Sequence, residues 1–169
     1  MSKFLKIYEQ FLFGLVLFVL FFVPLYPKFP LLNVPGTFVA IRIEDLVIAL
    51  LVGLWGVYLV LSKKLFELLK QPLVRAMLLF FAIGLVSLFS GYFITQTIKP
   101  HLGLLHWLRR VELMMLLPVA FTVIKTRRQI YFALIMLSIV LVLVTLYAFG
   151  QEYLDWPVVS TTNSEFAKG

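Results

Sequence analysis

Ile130 to Phe149 reads IYFALIMLSIVLVLVTLYAF, twenty consecutive residues without a charge, a glycine or a proline. At about 1.5 Å of rise per residue a helix of that length covers about 30 Å, the thickness of a bilayer's hydrocarbon core. Four further apolar blocks precede it: Phe11 to Tyr26, Leu46 to Leu61, Ala76 to Ile94 and Val111 to Ile124. The third is long enough to cross as it stands, and the first two become so once interfacial neighbours such as Tyr8 and Ile43 are counted. Unpaired backbone groups are intolerable in lipid, so all five blocks read as helices rather than strands. Spans are therefore expected near 8–26, 44–61, 76–94, 102–124 and 130–149, a bundle over 1–149, with a polar tail over 150–169.

Composition agrees with that reading. Of the 169 residues 62% are apolar and 14% charged, and mean hydropathy is +1.03. Soluble domains average about 45–50% and about 25%. The basic residues are scattered between apolar blocks, which excludes a nucleic-acid module, and the absence of Cys excludes thiol chemistry and thiolate metal sites. Two His without closely spaced carboxylates make no zinc motif, so no metal and no cofactor is expected. No paired catalytic carboxylates, nucleophile triad or phosphate-binding glycine loop can be assembled.

The net charge of +7 concerns topology. With the N-terminus inside, the inner segments hold nine basic residues and two acids, and the outer segments six of each. Positive residues favour the cytoplasmic side, so the N-terminus is expected in and the C-terminus out. Block one follows Lys3 and Lys6 as a signal peptide would, but Pro24, Pro27 and Pro30 replace a small-residue cleavage site, so a retained anchor is expected. The outer segment Pro27 to Asp45 reads as an ordered turn and an extended run over Phe38 to Ile43. Ser62 to Arg75 reads as an amphipathic turn system in the headgroup plane, and Lys125 to Gln129 as a tight basic hairpin. Small residues along helix three (Ser87, Ser90, Gly91) and Trp55 in helix two read as packing positions. An odd number of spans followed by an open polar tail is expected of the N-terminal portion of a longer protein.

The most informative stretch is His101 to Glu112. Block four is too short to cross unless its helix starts near Leu102, and that start places charge inside the bilayer at about 2.5–3.5 kcal/mol per group. At about 100° per residue, His106, Arg109, Arg110 and Glu112 are assigned to one polar arc, opposite Leu108, Val111 and Met115. Two arrangements fit. Either the arc faces a wet cavity and its guanidinium forks take an anion such as a diphosphate, or the arginines snorkel to headgroups while Glu112 pairs with Arg109. Arg42 could join the arginines around one anionic headgroup or stand as a lone arginine at the outer interface, whereas Glu44 and Asp45 read as helix-capping acids. The candidate substrate-binding set is thus Arg42, His106, Arg109, Arg110 and Glu112, with no catalytic residue. Lys99 and His101 could meet a polar substrate from the outer loop.

The run Pro24 to Asp45, the Leu-Arg-Arg-Val-Glu of Leu108 to Glu112, and Gly150-Gln151-Glu152-Tyr153 with Trp156-Pro157 and Ser160-Thr161-Thr162-Asn163 resemble the N-terminal part of bacterial O-antigen ligase and polymerase-like membrane proteins. The resemblance implies a multi-pass protein of the bacterial inner membrane with roughly ten to twelve spans. It also implies transfer of a glycan from an undecaprenyl-diphosphate carrier to an acceptor on the outer face, without metal or nucleotide. The family's catalytic Arg and His residues lie in later helices and a large outer loop, so this chain alone is expected to be inactive. The other class is a non-enzymatic membrane module, a transporter part or envelope-assembly subunit, with membrane lipids as partners.

Overall fold

The structure, a computed structural model, describes residues 3–27, 29–33, 40–97 and 99–157. Among these the chain is a helical bundle with one small ribbon: α1 (Lys3–Leu25), β1 (Pro30–Asn33), β2 (Ala40–Arg42), α2 (Ile43–Leu61), α3 (Leu65–Leu69), α4 (Pro72–Phe93), α5 (Pro100–Val123) and α6 (Arg127–Tyr153). Four helices, α1, α2, α4 and α6, are long and apolar enough to cross a membrane, which makes this a multi-pass membrane protein. α5 has 24 residues, length enough to cross, but carries Arg109, Arg110 and Glu112 along its middle.

Local chemistry explains the helix ends. Pro72 and Pro100 occupy the first turns of α4 and α5, where a missing N–H costs nothing and φ is preset. Both helices therefore start earlier than the apolar blocks alone suggest. Thr126 caps α6: its hydroxyl accepts from Gln129 N at 3.2 Å, while the Gln129 side chain accepts from Thr126 N at 3.0 Å. The expected basic hairpin over Lys125 to Gln129 is thus a capped turn.

At its other end α6 continues through Gly150 to Tyr153 rather than stopping at Phe149. The chain then folds back. Trp156 N donates to Gly150 O at 3.1 Å and Tyr147 Oη donates to Pro157 O at 2.8 Å. The Trp156 ring lies where a Cβ on residue 150 would be, so a side chain there would have to displace the ring. Beyond Pro157 the expected tail lies outside the described residues.

The expected extended run is half of a two-stranded antiparallel ribbon, in which Asn33 pairs with Ala40 and Leu32 with Ile41. Phe38 and Val39 lie outside the described residues. In the expected amphipathic turn over Ser62 to Arg75, Leu65 to Leu69 form a short helix and Pro72 to Arg75 already belong to α4; Leu68 is buried and Phe66 is exposed.

The core lies where α1, α2 and α5 meet. Leu12, Val16 and Val19 of α1 pack with Ile48, Leu51, Trp55 and Tyr58 of α2 and with Val119 and Val123 of α5. Polar contacts fix the register: Trp55 Nε1 donates to Thr122 Oγ1 at 2.6 Å, Tyr8 Oη donates to Leu54 O at 2.9 Å, and the Tyr8 and Tyr58 rings stack at 6.0 Å. Glu9 pairs with Lys125, tying α1 to the turn before α6. α6 packs on α1, and α4 packs on α5. α5 is thereby flanked by α2 on one side and α4 on another, which positions its charged residues.

Candidate functional site between α2 and α5

The site starts at the junction of ribbon and helix. β2 runs directly into α2, and Arg42 is at once its last residue and the residue before the first helical turn. Its backbone N–H donates to Asp45 Oδ2 at 2.9 Å, which satisfies a donor that the chain leaves open where the helix begins. Glu44, one residue earlier, is turned inward and is only 4% exposed.

A buried carboxylate needs partners, and Glu44 has two. Arg42 Nη1 and Arg109 Nη2 both donate to its Oε1 at 3.2 Å. Arg109 Nη2 also lies 3.8 Å from Asp45 Oδ1. Glu44 Oε2 is buried and has no hydrogen-bond partner among the described residues. The expected meeting of Arg42 with Arg109 is present, but the anion between them is the protein's own Glu44.

Glu112 lies on the same seam and pairs with neither arginine. It faces a hollow of about 510 Å³ lined by Asp45, Leu46, Ala49, Leu108, Val111 and Met115, among others. Its Oε1 is buried without a hydrogen-bond partner among the described residues. This corrects two expectations. The i,i+3 pair of Glu112 with Arg109 is absent, since Arg109 turns to α2. The single polar arc is absent too: at about 100° per residue Glu112 lies about 40° from Leu108 and about 160° from Arg110.

Arg110 and His106 are placed on the other side. One helical turn apart, they line a second hollow of about 220 Å³ against Gly84, Ser87 and Gly103. Trp107 closes its wall, its Nε1 donating to Phe81 O at 3.2 Å and its ring meeting Phe81 edge-on at 6.4 Å. The five candidate residues therefore divide into Arg42, Arg109 and Glu112 facing α2, and His106 and Arg110 facing α4. Lys99 and His101 are exposed at the start of α5.

Glu44 and Asp45 are the site residues that sequence reasoning missed. Capping explains Asp45 but leaves Glu44 unexplained, and the signal that could have found it was an outer-side balance of six acids to six bases with arginines isolated in an apolar helix. With all groups ionised the seam holds three carboxylates and two guanidiniums, so it carries one negative charge in excess. Comparison with family models, curated proteins and solved structures finds no match to this chain.

Proposed function

We propose that this chain is the N-terminal membrane portion of an O-antigen ligase- or polymerase-like protein, in which α2 and α5 form one wall of an outward-facing site for a lipid-diphosphate-linked glycan. One observation carries the reading. The two stretches on which the resemblance rests most, Arg42 to Asp45 and Leu108 to Glu112, are more than sixty residues apart in sequence, yet they meet through Arg109 and Glu44 at 3.2 Å. Five spans, with α5 as the fourth in chain order, an inner N-terminus and an outer C-terminus complete the proposal. The ribbon then covers the outer end of the seam, and the membrane is the bacterial inner one.

In this scheme Arg42 and Arg109 would exchange their contacts with Glu44 for diphosphate oxygens as negative charge builds on the leaving group. An acceptor hydroxyl attacks the anomeric carbon, the bond from that carbon to the diphosphate oxygen breaks, and the hydroxyl proton passes to a base in the later helices. Glu44 would hold the arginines in place before the donor arrives.

A second reading, a non-enzymatic membrane module, is favoured by a specific feature: both arginines are already neutralised by acids within the fold. Arg109→Lys separates the two. A lysine keeps the charge but is a single point donor that cannot reach Glu44 and Asp45 together as a planar guanidinium does. In the full-length protein, at matched membrane levels, glycan transfer is expected to fall about tenfold or more, the loss of a charge-assisted contact made in the transition state. Full transfer by Arg109→Lys would leave Arg109 a structural residue. Deletion of the gene with no change in surface glycan would remove the transferase reading altogether.

Orientation has its own check. Single cysteines at Ser62 and Thr126 are expected to resist an impermeant thiol reagent added to intact cells, and one at Asn33 to react. Labelling at Ser62 from outside would reverse the topology.

A further inference from the structure

We propose that the hollow between α4 and α5 is a phosphate-binding cradle built from Arg110, His106 and Ser87. The proposal asks only that α5 lie in the membrane, and it is independent of glycan transfer.

Three guanidiniums stand where the start of α2 meets α5, and two are committed. Arg42 and Arg109 both donate to Glu44. Arg110 makes no ion pair or side-chain hydrogen bond among the described residues. It follows Arg109 on α5, level with the first turn of α2 where Arg109 meets Glu44, and it is turned about 100° away from that contact. Its five N–H donors are therefore available to a ligand.

The hollow around it has the chemistry of an oxyanion site. Arg110 and His106 project from the same side of α5, and Ser87 from α4 adds a hydroxyl. Gly84 and Gly103 line it without side chains, and no carboxylate among the described residues does. The α2–α5 hollow differs in that its lining includes the carboxylates Asp45 and Glu112. A volume of about 220 Å³ admits a phosphate with its ester oxygen but not a protein helix, which has a diameter of about 10 Å. His106, Arg110 and Ser87 are all exposed enough to be reached.

The walls are fixed before any ligand arrives. Trp107 is held by Phe81 O, and a Cβ on residue 84 would lie 2.9 Å from the Trp107 ring, so the approach of α4 to α5 depends on glycine there. Such preorganisation spares the ligand the cost of ordering the site. A membrane phospholipid headgroup and a free phosphate ion share this chemistry, and the test separates them.

The 169-residue chain, purified in the phosphate-free detergent dodecyl maltoside, is titrated with short-chain phosphatidylglycerol and with the matching diacylglycerol, and bound ligand is counted by native mass spectrometry. One saturable phosphatidylglycerol per chain and no diacylglycerol are expected. Arg110→Gln should weaken binding about tenfold or more, as loss of a charge-assisted pair does. Arg128→Gln, which removes an exposed cation at the start of α6, should change nothing. Ser87→Leu fills the hollow while keeping the charge and should abolish binding, so it carries the test if Arg110→Gln does not fold. Displacement by millimolar inorganic phosphate would assign the cradle to free phosphate, and persistence of the lipid would assign it to a headgroup. Wild-type affinity in both Arg110→Gln and Ser87→Leu, or equal losses in Arg110→Gln and Arg128→Gln, would overturn the proposal. Because no glycan is present, failure here leaves the transferase reading standing, and failure of that reading leaves this one intact.

Discussion

Glu44→Leu is expected to destabilise the bundle by about 3–5 kcal/mol, although it replaces a charged residue by an apolar one in a membrane protein. A simple hydropathy argument gives the opposite sign. The carboxylate is nearly inaccessible and its Oε1 serves two guanidiniums at 3.2 Å, so removing it leaves Arg42 and Arg109 facing each other across the seam. Asp45 cannot stand in, since one of its oxygens accepts from Arg42 N and the other lies 3.8 Å from Arg109. Thermal unfolding in detergent, followed by far-UV circular dichroism, measures the loss. Glu44→Gln keeps one acceptor oxygen without the charge and should fall between. The double substitution Glu44→Leu with Arg109→Leu removes the stranded charge on α5 and should recover part of the stability, a coupling of about 0.5–3 kcal/mol. A single Glu44→Leu variant as stable as the parent would mean that lipid headgroups or water, rather than Glu44, solvate the arginines.

The same residue marks the boundary of what the sequence made legible. Ile130 to Phe149 and Ala76 to Ile94 declare their helices because length and apolarity act along the chain, where they can be read directly. The α5 helix was legible by a different route: a block too short to cross had to borrow Leu102 to Arg110, which sets a start near Leu102, two residues past the Pro100 at which the helix begins. Which side of α5 each charge would face was not legible. Arg109 and Arg110 are neighbours in sequence and about 100° apart on the helix, enough for α2 to take one and α4 the other. That choice depends on which helices flank α5, a fact of tertiary packing that no local pattern encodes. Glu44 was missed for a related reason. A helix N-terminus explains any acid near it, and only a partner sixty-five residues away distinguishes the one that is buried.

Glycine tests the packing on the other side of α5, because the chain offers the same residue in two opposite settings. Gly84 of α4 and Gly56 of α2 both lie in apolar helices and look equivalent in sequence. A Cβ at Gly84 would come within 2.9 Å of two Trp107 ring atoms, Cδ1 and Nε1, whereas nothing lies within 4 Å of one at Gly56. Trp107 cannot swing aside freely, since its Nε1 is bonded to Phe81 O and its ring packs on Phe81. Gly84→Leu must therefore push α4 from α5, with an overpacking cost of about 1–3 kcal/mol and a further 0.5–1.5 kcal/mol for the lost hydrogen bond. Gly56→Leu should be neutral or slightly stabilising, because leucine is the better helix former by about 0.5–1 kcal/mol and its side chain enters open space. Thermal midpoints in one detergent compare the pair. The Trp107→Phe background adds a second reading, since the smaller ring without an N–H should relieve most of the Gly84→Leu penalty. Equal midpoints for Gly84→Leu and Gly56→Leu would show that α4 and α5 are not held together at Trp107, and the hollow at Arg110 would lose its rigid wall with them.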